Sequence, residues 1–338
     1  MNILVTGVAG FIGFHTAKRL ILKGIKVIGV DNINNYYDTK IKKDRLKLLN
    51  KISKKNKFKF YKKDISNYNE LNKIFRKNKI SIVINLAAQA GVRYSLKYPE
   101  TYLRSNIQGF FNIIELCKTF KIRRLIYAST SSVYGSNTES PFKEEHTADH
   151  PIQFYAASKR SNELIAHAYS SLHNLKTIGL RFFTVYGPWG RPDMALFKFV
   201  KNTINGKPIN IFNYGNHARD FTYIDDIVDG IMILIKSSKI FKKKKNKKFN
   251  LSPNMSSAPF RIFNIGSAQS TSLLNYIGII EKELNKKSKK RYLPLQKGDI
   301  SKTLSNIDNL KKIGYKPKVE PRLGIKKFVK WYKDYYKK

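Results

Sequence analysis

Short runs rich in β-branched and aliphatic residues recur through the first half of the chain, at NILVTG (2–7), IKVIGVD (25–31), KFKFYKKD (57–64), SIVINLAA (81–88), RRLIYAST (123–130) and LKTIGLRFF (175–183). Each predicts a strand buried on both faces. Between them lie stretches whose apolar positions fall three and four residues apart, which predicts helices. These are FIGFHTAKRLILKG (11–24), YNELNKIFRKN (68–78), SNIQGFFNIIELCKTF (105–120) and YAASKRSNELIAHAYSSLH (155–173). Alternation of strand and helix patterns implies a parallel sheet covered on both sides. From about Gly187 the pattern shortens. Helices are predicted at 195–206, 225–238 and 323–336, with strands at PINIF (208–212) and RDFTYI (219–224). The expected architecture is α/β: a doubly wound parallel sheet over 1–186, with the last strand and later segments partly interspersed, and a smaller mixed α/β lobe built mainly from 187–338.

Composition adjusts this picture in two places. The chain of 338 residues is 42% hydrophobic and 13% aromatic, enough for a substantial core, and it carries a single cysteine, Cys117, within a helical pattern. One cysteine excludes an internal disulfide and any cysteine-built metal cluster, so no metal is expected. The first strand pattern begins at the N-terminus without a leader-like segment, and no apolar run reaches the ~18 residues of a membrane helix. A cytoplasmic, reduced, soluble protein is expected. The net charge of +42 is unusual. The lysines are spread along the chain, with one dense run at 242–248 that reads as a solvated loop. No zinc-finger spacing or aromatic-basic RNA-binding pattern accompanies them, so neither a specific nucleic-acid partner nor membrane insertion is expected. The positive field does favour a polyanionic small substrate.

TGVAGFIG places Gly7, Gly10 and Gly13 between the first strand and first helix. Glycines so spaced permit a tight turn, approach of a pyrophosphate to the backbone, and close helix–strand packing, while the helix N-terminus offers amide donors. Asp31 ends the second strand, where a carboxylate accepts the ribose hydroxyls of NAD and repels the extra phosphate of NADP. Asp64, ending the third, is placed to meet the adenine edge.

Tyr155 and Lys159 are four residues apart on one predicted helix and therefore share a face. An ammonium beside a phenol stabilises the phenolate, and a tyrosinate can take a proton from a sugar hydroxyl while hydride leaves the same carbon. A hydroxyl cluster, Ser129 to Ser132, ends the fifth strand 25 residues before Tyr155.

With TGVAGFIG, NLAAQAGVRYS, YASTSSVYG, YAASK, LRFFTVYGPWGRPDMALFKF and RDFTYIDDIVDGI in place, the chain resembles the extended short-chain dehydrogenases/reductases of Rossmann fold. Within them it is most similar to the UDP-glucuronate 4-epimerases. The resemblance spans essentially the whole chain. It implies that Gly7, Gly10, Gly13, Asp31, Asp64, Asn106, Tyr155 and Lys159 contact NAD, that Tyr155 is the base, and that Thr130 binds the sugar 4-oxygen. It further implies that Arg93, Ser132, Thr184, Arg191, Arg219 and Asp299 contact a UDP-sugar, and that the helices near Thr101 and Tyr155 pair in a homodimer. In the segment LQKGD, Gln296 stands where galactose-type epimerases often carry arginine. Dehydratases and decarboxylases of the superfamily carry an acid where this chain has Ser131 and Ser132, so the implied reaction is 4-epimerisation of UDP-glucuronate. Epimerisation of neutral or N-acetylated UDP-hexoses is the nearest alternative. A dinucleotide-sensing scaffold docking nucleic acid is the non-enzymatic one, and it has no need of Tyr155, Lys159 or Thr130.

Overall fold

The computed structural model describes residues 1–241 and 251–338; the lysine run expected to form a loop lies outside them. Seven strands form one parallel sheet. They are β1 (Asn2–Thr6), β2 (Lys26–Asp31), β3 (Phe58–Lys62), β4 (Ile82–Asn85), β5 (Arg124–Thr130), β6 (Thr177–Phe182) and, much later in the chain, β10 (Phe260–Ile265). Their order across the sheet is β3-β2-β1-β4-β5-β6-β10, every pairing parallel. This is the doubly wound order, with its switch point between β1 and β4. The apolar runs explain it: every residue of β4 and β6 is buried, as two-sided coverage demands.

The first seven helices are α1 (Phe11–Leu22), α2 (Thr39–Ile52), α3 (Tyr68–Lys77), α4 (Val92–Lys97), α5 (Pro99–Tyr102), α6 (Gly109–Thr119) and α7 (Phe154–His173). In α1 the buried stripe Phe11, Phe14, Ala17, Leu20 and Ile21 follows the expected spacing. The helix expected from Ser105 is broken differently. Leu103–Gln108 is a wider, π-helical turn, and α6 proper begins at Gly109. A Cβ at Gly109 would lie 2.7 Å from Ile65, so the chain is pressed close there. α7 also departs from the expected pattern. Its buried stripe is small and polar (Ser158, Lys159, Asn162, Glu163, Ser170), while Leu164 and Leu172 are exposed.

Beyond β6 the chain builds β7 (Thr184–Tyr186), α8 (Ala195–Ile204), β8 (Ile209–Ile211), β9 (Ala218–Tyr223) and α9 (Ile224–Lys236). After β10 come β11 (Ser270–Ser272), α10 (Leu273–Leu284), β12 (Lys290–Tyr292), α11 (Asp308–Lys311) and α12 (Pro321–Tyr336). β11, β9 and β7 form a three-stranded sheet, and β12 pairs with β8. Aromatic packing joins α8 and α12 through Phe197, Phe328 and Tyr332, and Tyr276 of α10 stacks on Phe221 at 3.9 Å between centroids. Two of these later segments return to the first layer: β10 extends the main sheet beside β6, and α9 packs on α1 with an Arg19–Asp229 ion pair at 2.5 Å. Among the described residues, no helix is long and apolar enough to cross a membrane.

Candidate active site

A cavity of about 810 Å³ opens at the carboxyl ends of the sheet strands and runs beneath the second lobe. Ligands bind at this edge of doubly wound sheets because helix N-termini and loop backbones converge there.

Gly7, Gly10 and Gly13 line its floor. Gly7 has φ 67°, and its carbonyl accepts from the Gly10 amide at 2.9 Å. A Cβ at Gly13 would lie 2.0 Å from that carbonyl, and one at Gly7 2.7 Å from the Ala87 amide, so neither position accepts a side chain. α1 starts at Phe11, and its first-turn amides have no acceptor one turn earlier in the helix. This cradle fits a dinucleotide pyrophosphate. Asp31, the last residue of β2, accepts from the amides of Ala9 at 3.0 Å and Ile33 at 2.8 Å, leaving capacity on each oxygen for a ribose hydroxyl. Burial pushes its carboxyl up, opposed by those amides and by Lys42. Asp64 stands two residues past β3, where it accepts from Ser66 and from Asn32 at 2.8 Å.

Asn106 is placed differently from the expectation. It is buried and absent from the cavity wall. Its carbonyl accepts from the Gln89 amide at 2.8 Å, and its NH₂ donates to Gln89 O at 3.1 Å and Ser158 Oγ at 2.9 Å. The π-helical turn aims the Asn106 side chain at these protein partners.

At the far end of the sheet, Thr130 closes β5, and its hydroxyl accepts from the Ser132 amide at 3.2 Å. Tyr155, in the first turn of α7, faces this hydroxyl. Lys159 follows one turn on, almost wholly buried. All three line the cavity, as does Ser132. Burial raises the Tyr155 phenol, while Arg191 and a hydrogen bond with Thr130 pull it down. The Lys159 ammonium is itself pushed down to about 8, chiefly by burial, with Glu163 opposing.

The remaining cavity wall holds the other expected residues. Thr184 opens β7. Arg219, on β9, donates to Ser301 O at 2.8 Å. Arg93 donates to Asp299 at 3.0 Å and covers the Phe212 ring at 5.0 Å. Arg191 pairs with Asp193, which also accepts from the Tyr36 hydroxyl at 3.2 Å. Gln296 and Lys297 are not on the wall; that loop reaches the cavity through Gly298, Asp299 and Ile300.

Several contributors escaped the sequence reading. Tyr36 and Asp193 bridge two sides of the cavity, and only the R-P-D spacing hints at the Arg191–Asp193 contact. Arg45, fully buried, donates to Ala9 O at 2.8 Å and Trp189 O at 2.5 Å, tying the glycine turn to the 187–191 loop. A lone arginine in a lysine-rich helix gives no sequence signal for this.

The chain matches a known family over residues 3–252. It belongs to the NAD dependent epimerase/dehydratase family. Among relatives of this family member, Protein CapI of Staphylococcus aureus is 51% identical, aligned over all of both chains. The probable UDP-glucuronate 4-epimerase of Rhizobium meliloti is 42% identical over all of this chain and 98% of its own. Of solved structures, the UDP-glucuronic acid 4-epimerase from Bacillus cereus, in complex with UDP-glucuronic acid and NAD, superposes with a TM-score of 0.88. It is 31% identical and covers 99% of this chain and 100% of its own. Among the described residues, no group of three or more His, Cys, Asp or Glu side chains is arranged to hold a metal.

Proposed function

We propose that this chain is an NAD-dependent UDP-glucuronate 4-epimerase, interconverting UDP-glucuronate and UDP-galacturonate through a 4-keto sugar. One observation carries the choice of reaction within the family. The segment beside Tyr155 is Ser129-Thr130-Ser131-Ser132, and the carboxylates on the cavity wall come from elsewhere, at Asp31, Asp64, Asp193 and Asp299. Elimination and decarboxylation need a further proton donor near the sugar; epimerisation needs only one base that gives its proton back.

In this reading Tyr155 takes the proton of the sugar 4-hydroxyl, and Thr130 hydrogen-bonds the same oxygen. Bound NAD supplies the acceptor, and then the donor, of the carbon-4 hydride. Lys159 places a positive charge one helical turn from the phenol. The keto sugar turns over, and Tyr155 returns its proton to the oxygen as hydride is restored to the opposite face. Arg93, Arg219 and Arg191 supply charge for the diphosphate and carboxylate, for which a guanidinium fork is suited. The relatives' names and the B. cereus complex support this substrate class.

A homodimer in a cytoplasmic setting completes the reading. Leu103, Phe111, Leu164 and Leu172 leave apolar surface exposed around α6 and α7, the helices expected to pair.

The test is to incubate the purified protein with UDP-glucuronate, without added NAD, and resolve the products. A mixture of UDP-glucuronate and UDP-galacturonate is expected. Conversion of UDP-glucose or UDP-N-acetylglucosamine alone, or release of a UDP-pentose as main product, would overturn the assignment.

A further inference from the structure

Two turns along α7 from Tyr155, and one turn from Lys159, lies Glu163. It is fully buried, and the reaction as described makes no use of it. Burying a carboxylate is costly unless it is paired and hydrogen-bonded, and this one is both. Arg181 of β6 grips it with two bonds, Nε to Oε1 and Nη2 to Oε2, each 2.9 Å. Arg160 adds Nη1 to Oε2 at 3.0 Å, and itself leans outward to Asp149. The Ser129 hydroxyl donates to Oε1 at 2.6 Å.

These partners stand on the elements that build the reacting end of the cavity. Ser129 immediately precedes Thr130 and sits in register with Arg181 across the β5–β6 pair. The Arg181 guanidinium lies over the Tyr134 ring at 4.7 Å, in the turn that follows Thr130. One carboxylate therefore joins the helix bearing Tyr155 and Lys159 to the strand end bearing Thr130.

We propose that Glu163 is a positioning residue of the reaction: it fixes the Thr130 strand end against the Tyr155 helix and supplies the counter-charge that faces Lys159. The inference rests on the epimerase reading and extends it below the cavity wall.

Electrostatics follow the same geometry. Burial raises the Glu163 carboxyl, but Arg181, Ser129 and Arg160 outweigh it and hold the group below its ordinary value, so it is ionised. Within α7 the groups on Lys159's own face are Tyr155 and Glu163. From β5, Tyr127 packs near the ion pair, and its phenol is held neutral by burial. Of these, only Glu163 opposes the loss of the Lys159 proton. Without it, Lys159 should lose its proton at lower pH, by about one unit for the loss of a nearby opposite charge.

The experiment compares holoenzyme and Glu163→Gln across pH 6–10, using whichever UDP-sugar the wild type converts fastest. Gln keeps an acceptor for Ser129 and removes the charge. The alkaline limb of kcat should move down by about one pH unit, with kcat lowered about fivefold at pH 8 and KM nearly unchanged. Ser129→Ala should lower kcat without moving that limb. If the single charge variant fails to fold, Glu163→Gln with Arg181→Gln leaves no unpaired guanidinium at position 181 and should show a smaller downward shift, because the charge that opposes Glu163 is removed with it. An unmoved limb in the folded charge variant, or a loss equal at every pH, would overturn the proposal. The wild-type arm reports separately on the epimerase reading, since conversion of neutral sugars alone defeats that reading and leaves this comparison intact.

Discussion

Arg191 holds Asp193, two residues along the same loop, in a two-pronged grip: Nε to Oδ1 at 3.0 Å and Nη2 to Oδ2 at 2.5 Å. Burial alone would raise the Asp193 carboxyl, but the Arg191 charge keeps it below its ordinary value. The fork expected to meet a sugar carboxylate is thus engaged by the chain's own carboxylate, which a sugar carboxylate would share or displace. A 4-keto hexuronate is a β-keto acid and loses carbon dioxide when its carboxylate bond aligns with the carbonyl π system. A grip on the carboxylate that prevents this alignment protects the epimerase. Arg191→Ala is therefore expected to raise KM for UDP-glucuronate far more than for any neutral UDP-hexose it accepts, and to release a UDP-pentose or 4-keto-pentose by-product. Product chromatography and paired KM values check this. Equal losses for charged and neutral sugars would make Arg191 a diphosphate or loop residue.

Tyr155→Phe removes the proposed base and leaves the ring in its edge-on contact with Tyr102, at 6.0 Å between centroids. Folding and NAD binding should persist while turnover falls at least ~100-fold, the scale of a positioned acid–base group. Near-normal turnover would remove Tyr155 from the mechanism.

Asp31→Ala deletes the only carboxylate at the end of β2 and two acceptors for loop amides. NAD affinity should fall and discrimination against NADP should relax, because the repulsion of a 2′-phosphate is gone. Titration with both dinucleotides measures this. Unchanged NAD affinity would mean that Asp31 does not meet the ribose.

Glu144 gives the chain a pH dependence of its own. It is fully buried beneath β10, accepting from the Asn264 amide at 2.9 Å and the Asn309 NH₂ at 3.0 Å. Burial pushes its carboxyl up from 4.5 to about 7. Between those values the folded chain binds more protons than the unfolded chain, so this group lowers stability as pH rises. Glu144→Gln abolishes that slope. Its melting temperature relative to wild type should therefore be higher at pH 8 than at pH 5. The same difference at both pH values would contradict the sign.

The doubly wound sheet was legible because β1, β2, β4, β5 and β6 are almost wholly buried, and such strands write themselves as unbroken apolar runs. β10 was not legible. FRIFNI is a largely apolar run, but it stands far along the chain from β6, and nothing local says that it returns to the edge beside that strand. α2 was hidden by composition, since its buried positions include Lys42 and Arg45 among seven other lysines and polar residues. At the site, motif spacing placed the glycines, Asp31, Thr130, Tyr155 and Lys159 on one cavity. What it could not supply was the partner of each charge. Pairings such as Glu163 with Arg181, or Arg93 with Asp299, depend on which elements meet in space. Helical spacing likewise says nothing of burial, which here acts on both Tyr155 and Lys159.

Arg45 stitches the glycine turn to the loop at 187–191 from inside the protein, where no water competes for its bonds. Prising those two segments apart strips a buried guanidinium of its acceptors. A reaction that hands its hydride back to the sugar it came from has no call to trade its dinucleotide with the surroundings at each turnover.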